Sequence, residues 1–187
     1  MTEQQEASED AVMTRIGQAV ILLHAGDREE ARNRLGDIWT EIGDEGDFLH
    51  RCTLAHYMAD AQDDPADELA WDLRALTAAD GLGGRPYEIP PGRAAAGGPG
   101  PSATGRAQPH PAVRAFYPSL HLSLATDYVK LRRPEAARVH LARARAATVA
   151  LADDGYGNGV RAAIARLERR LAAEPPPRPR PFPEQSP

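Results

Sequence analysis

Apolar residues recur at helical spacing along this chain, and the clearest run lies between Phe116 and Ala147. Within it the apolar positions follow one another three or four residues apart, break off at Pro134 and then resume. Such spacing puts apolar side chains on one face of a helix, whereas proline favours the first turn of a new helix over the interior of an old one. The pattern therefore predicts two antiparallel helices joined by a tight turn at Arg132-Arg133-Pro134, in an all-α chain.

Two fainter copies of this helical hairpin lie upstream. Each copy has a small residue three positions before a larger one on its first helix, and apolar residues spaced by four and then three on its second. The first-helix pairs are Ala19/Leu22, Ala55/Met58 and Ala125/Tyr128, and the second-helix sets are Ala31/Leu35/Ile38, Leu69/Leu73/Leu76 and Ala137/Leu141/Ala144. The interval between the second and third copies is about twice the first interval, and a Gly/Pro-rich block accounts for the excess.

A helical hairpin that repeats at about 34 residues, with small and aromatic residues at these places, resembles the tetratricopeptide repeat (TPR). The resemblance implies a right-handed superhelical solenoid of about three hairpins, closed by a C-terminal capping helix. It also implies that the first helices of successive hairpins line a concave face, which binds an extended or helical peptide. No copy keeps the family's tryptophan, since Arg15, Arg51 and His121 stand at that place.

Composition divides the chain into five segments. The acidic, polar lead at 1–9 is expected to be disordered, and hairpins 1 and 2 occupy 10–80. The Gly/Pro-rich stretch at 81–113 is expected to be a flexible insertion, because it cannot bury enough apolar area to offset the entropy of ordering it. Hairpin 3 and the capping helix occupy 114–173, and a Pro-rich tail follows at 174–187.

Polar residues at the predicted helix ends refine these boundaries. The first helix should begin at Ser8 or Asp10. Asp27, with Glu30 three residues later, predicts a capping box. Further predictions are N-caps at Asp47 and at Asp64 before Pro65, a C-cap at Gly43, burial of Leu69, Leu73 and Leu76 in the fourth helix, a turn-rich loop over 153–159, and an apolar stripe of Val160, Ile164, Leu167 and Leu171 on the last helix.

Charge is distributed unevenly along the chain. Residues 1–80 carry 19 acidic and 6 basic side chains, whereas residues 81–187 carry 8 and 16. No predicted helix has the continuous arginine stripe that tracks phosphates, so the charges are read as solvated faces and no nucleic-acid partner is predicted. The single cysteine, Cys52, fits a reducing compartment, and the longest apolar run is too short to cross a bilayer. A cytoplasmic protein with no membrane partner is expected.

Two groups of residues have the type of side chain or spacing found in catalytic or ligand sites. Cys52 and His56 share a helix face, but two ligands are too few for structural zinc, and a catalytic dyad lacks an orienting group and an oxyanion donor. The Gly155-x-Gly157-x-Gly159 run has neither the preceding strand nor the following lysine of a phosphate loop. The sequence therefore predicts no catalytic residue, no metal ligand and no cofactor, and a protein that is not an enzyme.

The remaining hypothesis is a non-enzymatic protein-protein interaction module. Its mostly apolar concave face would suit an amphipathic helix better than a charged peptide terminus. The alternatives are a regulatory or sensor domain that binds a short peptide or small molecule, and a self-associating scaffold. By the resemblance, the concave face comprises Ile16, Val20 and Leu23 of the first copy, Leu49, Cys52 and His56 of the second, and Leu122, Thr126 and Lys130 of the third.

Overall fold

The computed structural model describes residues 3–43, 46–81 and 114–173, with side chains from residue 11 onward. The predictions for 82–113 and 174–187 lie outside these residues. The described residues form seven α-helices and no strand, which confirms the all-α class. The helices are α1 (Glu3–Ala25), α2 (Arg28–Ile42), α3 (Phe48–Asp60), α4 (Pro65–Gly81), α5 (Tyr117–Lys130), α6 (Pro134–Ala147) and α7 (Gly155–Ala173), with a short 3₁₀ turn at Thr148–Ala150 before α7.

Each helix packs against the helix that follows it, and α1 also packs on α3 and α5 on α7. The small residues of the repeat lie in the core of the helix pairs. Ala19, Ala31, Ala55, Ala125 and Ala137 are all fully buried. Alanine at these places lets two helix backbones come close without leaving a void, which is why a core poor in aromatic residues can still pack densely.

The second hairpin packs directly on the third, although residues 82–113 separate them in the sequence. Buried side chains of α3, α4 and α5 form one cluster, which includes Cys52, Ala75 and Leu124. An aromatic contact ties hairpin 1 to hairpin 2, since the Trp39 and Trp71 rings meet edge to face with centroids 5.1 Å apart. The described helices thus share a continuous series of contacts from α1 to α7.

Three of the four predicted caps are confirmed. The Asp47 carboxylate accepts from the backbone N–H groups of Leu49 and His50, and Asp64 accepts from Ala66 at 2.7 Å. Gly43 ends α2 with a positive φ of 56°. The capping box at Asp27 is wrong, because its side chain makes no capping hydrogen bond. Its own N–H is instead bonded to the Leu22 carbonyl in the tight turn before α2.

Two helices begin earlier than the sequence predicts. Helix α1 starts at Glu3, within the segment expected to be a disordered lead, because Glu3 to Ala7 are good helix formers without glycine or proline. Helix α7 starts at Gly155, inside the predicted loop, since the Asp154 carboxylate accepts the Gly157 N–H at 2.7 Å and caps the first turn. The predicted apolar stripe on α7 is fully confirmed.

The repeat register in α4 also differs from the prediction. Leu73 is 40% exposed, whereas Asp72 is 2% exposed and Leu76 is 7% exposed. Counted from the helix start, Asp72 is the eighth residue of α4, as Leu35 is of α2 and Leu141 is of α6. Leu35 and Leu141 are buried like Asp72. An aspartate therefore occupies the place of a buried leucine.

Candidate functional site

The structure divides the nine predicted concave-face residues among different environments. Ile16, Leu23 and Cys52 are buried in the core. Val20 packs against buried side chains of α1, α2 and α3, and Leu49 is partly buried. His56 and Lys130 belong to a polar cluster at the junction of α3, α4 and α5, and Leu122 and Thr126 line a groove between α5 and α7.

The polar cluster, called here the junction cluster, has an excess of acidic groups. It comprises His56 and Asp60 from α3, Glu68 and Asp72 from α4, and Asp127 and Lys130 from α5. Asp72 and Asp127 are its buried members, at 2% and 1% exposure. A buried carboxylate is costly unless it has partners, so the supply of hydrogen-bond donors decides the state of this cluster.

Two basic side chains, one from α3 and one from α5, face these carboxyl groups. The Lys130 ammonium donates to both Glu68 oxygens at 2.6 Å, and lies 3.9 Å from Asp127 Oδ1. The His56 Nδ1 atom is 3.4 Å from Asp72 Oδ1. If the Asp127 carboxyl group is ionised and can only accept, its buried Oδ2 atom has no hydrogen-bond partner among the described residues.

The cluster shifts the proton affinity of its members. Burial raises the pKa of Asp127 to about 9, and the negative charges of Asp72 and Glu68 add to the rise. Desolvation also raises the pKa of Asp60, which the neighbouring His56 partly offsets. Burial opposes the charged form of His56, but the hydrogen bond to Asp72 and its charge raise the His56 pKa above the ordinary value.

Cys52 does not have the properties of a nucleophile. The thiol is 2% exposed, and burial raises its pKa to about 12, with a further contribution from the charge of Asp72. Because the thiolate is the reactive form, this cysteine is chemically inert at neutral pH. It acts as a small apolar side chain between α3 and its neighbours.

The groove between α5 and α7 has a volume of about 250 Å³ and an apolar floor with basic residues beside it. Leu122 and Leu167 are among its apolar lining, and Thr126 turns its hydroxyl away to donate to the Leu122 carbonyl at 3.0 Å. Arg166 and Arg170 are exposed one turn apart on α7. The groove, called here the α5/α7 groove, thus combines apolar contact area with two cations.

A larger polar hollow of about 520 Å³ lies at the turn between α1 and α2. Arg28 and Arg32 both reach Asp63 there, at 3.2 Å and 2.8 Å. Because Asp63 lies in the turn before α4, these exposed ion pairs join α2 of hairpin 1 to the turn of hairpin 2. Both arginines that line the hollow are thus paired with Asp63.

Two imidazole rings meet between α5 and α6. The Nδ1 atoms of His121 and His140 lie 3.2 Å apart, and Tyr128 stacks on His140. Burial lowers the pKa of both histidines to about 4, and the nearby Arg143 charge adds to the effect. Both rings are therefore neutral at pH 7, and one can donate a hydrogen bond to the other.

No group of three or more histidine, cysteine, aspartate or glutamate side chains within 11–43, 46–80 and 114–173 is arranged to hold a metal ion. In the same part of the chain, no helix has the length and apolar character needed to cross a membrane. A scan against protein-family models, a search of curated proteins and a search of solved structures each find no match to this chain.

The sequence prediction missed both Asp72 and Asp127. Asp72 was missed because the predicted register put Leu73 toward the core, whereas Asp72 is the buried residue of the two. Asp127 follows two residues after Ala125, on a helix whose other buried positions are apolar or small. The signal that could have revealed the junction cluster is an aspartate on the apolar face of each of two adjacent helices.

Proposed function

We propose that this protein is a non-enzymatic interaction module with a TPR-like solenoid, and that the α5/α7 groove binds an amphipathic helix with an acidic face. The solenoid is supported by the successive helix contacts, including α1 on α3 and α5 on α7. Burial of the repeat's alanines supports it further. The right-handed superhelix itself remains an expectation from the resemblance.

The observation that carries the function is the composition of the α5/α7 groove. Its floor includes Leu122, Ala163 and Leu167, and it receives apolar side chains spaced along one face of a helix. Arg166 and Arg170 are a turn apart, so they would face acidic residues at matching spacing on that partner helix. Two of the nine residues predicted from the sequence, Leu122 and Thr126, belong to this lining.

A titration of the ¹⁵N-labelled chain with two synthetic helices tests this proposal. Both peptides carry leucines on one face, and the opposite face carries glutamates in one peptide and lysines in the other. We expect the glutamate peptide to bind the tighter of the two and to shift the amide signals of Leu122, Thr126 and Leu167 in a saturable way. An exposed ion pair contributes roughly 0.2–1 kcal/mol. Two pairs together contribute about 0.4–2 kcal/mol, a preference of about twofold to thirtyfold over a neutral face, since about 1.4 kcal/mol is tenfold.

Variants of α7 separate the groove from general electrostatic attraction. The double variant Arg166→Glu/Arg170→Glu should lose the preference for the glutamate peptide. Arg169→Glu is the matched control, because Arg169 is exposed on the same helix but does not line the groove. Equal weakening by Arg169→Glu, or equal binding of both peptides, would contradict the groove as the site. Groove shifts that grow with chain concentration alone would instead assign it to a second copy of the chain.

A further inference from the structure

The junction cluster presents two buried carboxyl groups from opposite sides of the 82–113 segment. Asp72 belongs to the second hairpin and Asp127 to the third, and both are almost inaccessible to water. If both were ionised, two like charges would face each other in a poorly solvated joint. Such an arrangement is unfavourable unless nearby cations or donors compensate it.

The described groups around the pair do not supply that compensation. From α3, the His56 Nδ1 atom lies 3.4 Å from Asp72 Oδ1, while the neighbouring Asp60 adds negative charge beside Asp72. From α4, Glu68 holds the Lys130 ammonium through both carboxylate oxygens. Lys130 therefore stays 3.9 Å from Asp127, beyond hydrogen-bond distance, and Asp127 Oδ2 accepts no hydrogen bond.

A proton on Asp127 resolves this deficit. The protonated carboxyl group becomes a donor, and Asp72 is the neighbouring acceptor that forms a hydrogen bond with it. We propose that Asp72 and Asp127 share one proton that holds the second hairpin against the third, and that loss of this proton loosens the joint between α4 and α5. The device is a carboxylic acid–carboxylate bridge between the helices on either side of the 82–113 segment.

The proposal fixes the sign of the pH dependence. The folded chain keeps a proton on Asp127 up to about pH 9, whereas the unfolded chain releases it near the ordinary value of 3.8. The stabilisation is therefore fully present below the unfolded pKa and is lost progressively as pH rises toward the folded pKa. In this window the unfolding equilibrium constant should increase about tenfold per pH unit through this one proton.

Carboxyl ¹³C NMR of the full chain tests the proton directly. The Asp127 carboxyl carbon should have the shift of a neutral acid at pH 7 and should titrate near 9. An ionised Asp127 at pH 7 would overturn the proposal. Because this measurement uses the unmodified chain, it does not depend on whether any variant folds.

Denaturant unfolding between pH 6 and about 9 tests the consequence. Asp127→Asn keeps the shape and a donor but cannot ionise, so its stability should lack the one-proton slope of the wild type. Asp37→Asn is the control, because Asp37 is an exposed carboxylate on α2 and should leave the slope unchanged. Parallel slopes for wild type and Asp127→Asn would contradict the shared proton.

Native-state hydrogen exchange, corrected for the intrinsic effect of pH, locates the loosening. Exchange in α4 and α5 should accelerate as pH rises toward about 9 in the wild type and not in Asp127→Asn, while α1 and α2 change little. Equal acceleration in all four helices would contradict a local joint. None of these measurements depends on peptide binding, so this proposal and the proposed function can fail separately.

Discussion

Replacement of Gly157 by alanine should destabilise the protein, although the same change is normally favourable in a helix. Gly157 is buried in the first turns of α7, where the chain returns from the 3₁₀ turn. A Cβ atom built on it would lie 2.1 Å from the Ala152 carbonyl oxygen. That oxygen is backbone, so the clash can be relieved only by moving the 152–155 segment or the start of α7.

The magnitude follows from opposing effects. Alanine gains up to about 1 kcal/mol of helix propensity over glycine. Against this, overpacking costs about 1–3 kcal/mol. The shift also disturbs Arg161, which donates to the Leu151 and Ala152 carbonyls at 2.9 Å and 3.3 Å. Hydrogen bonds from a charged group contribute about 1.5–3 kcal/mol. We expect a net loss of about 2 kcal/mol.

Thermal unfolding followed by circular dichroism measures this loss. For a chain of this size, about 2 kcal/mol lowers the melting temperature by about 4–8 °C. Gly159→Ala is the matched control in the same helix, because a Cβ atom built on Gly159 meets no heavy atom within 4 Å. It should raise the stability by up to about 1 kcal/mol. Equal, positive shifts for both variants would refute the argument that close backbone approach requires glycine at 157.

Two further pairs of variants test the register of α4 and its cap. Leu76→Ala should lower the free energy of unfolding in denaturant by about 2–4 kcal/mol, because Leu76 is buried. Leu73→Ala should change this free energy by no more than about 0.5 kcal/mol. The reverse order would support the register predicted from the sequence. Asp64→Ala should lower the free energy of unfolding by about 1 kcal/mol through loss of the cap. Asp27→Ala should leave it nearly unchanged, because the Asp27 side chain makes no capping hydrogen bond. Equal losses in both variants would contradict the observed caps.

Most of the fold could be predicted because local signals and the repeat agree. Apolar faces mark the helices, and Asp64-Pro65 and Arg133-Pro134 mark where two of them begin. Together these signals place six of the seven described helices in hairpins. The predictions failed where two local signals compete. At 155–159 three glycines indicate a loop, but the Asp154 cap and the apolar series that follows are strong enough to begin a helix there.

The candidate site was harder to predict, because it depends on how helices meet. Leu122 and Thr126 could be selected from their place in the repeat. Arg166 and Arg170 belong to the capping helix, whose contact with α5 no local pattern specifies. The sequence prediction placed one basic residue, Lys130, on the concave face, because it considered only the first helices of the hairpins.

The register of α4 and the proposed shared proton are two aspects of one feature. At the equivalent places of α2 and α6 the chain has Leu35 and Leu141, which are buried and carry no charge. Asp72 brings a carboxyl group into that place, and Asp127 faces it from the next hairpin. Leucine would pack there without any dependence on pH. The aspartate pair instead makes the contact between α4 and α5 depend on a proton. These are the two consecutive described helices that the long 82–113 segment separates in the sequence.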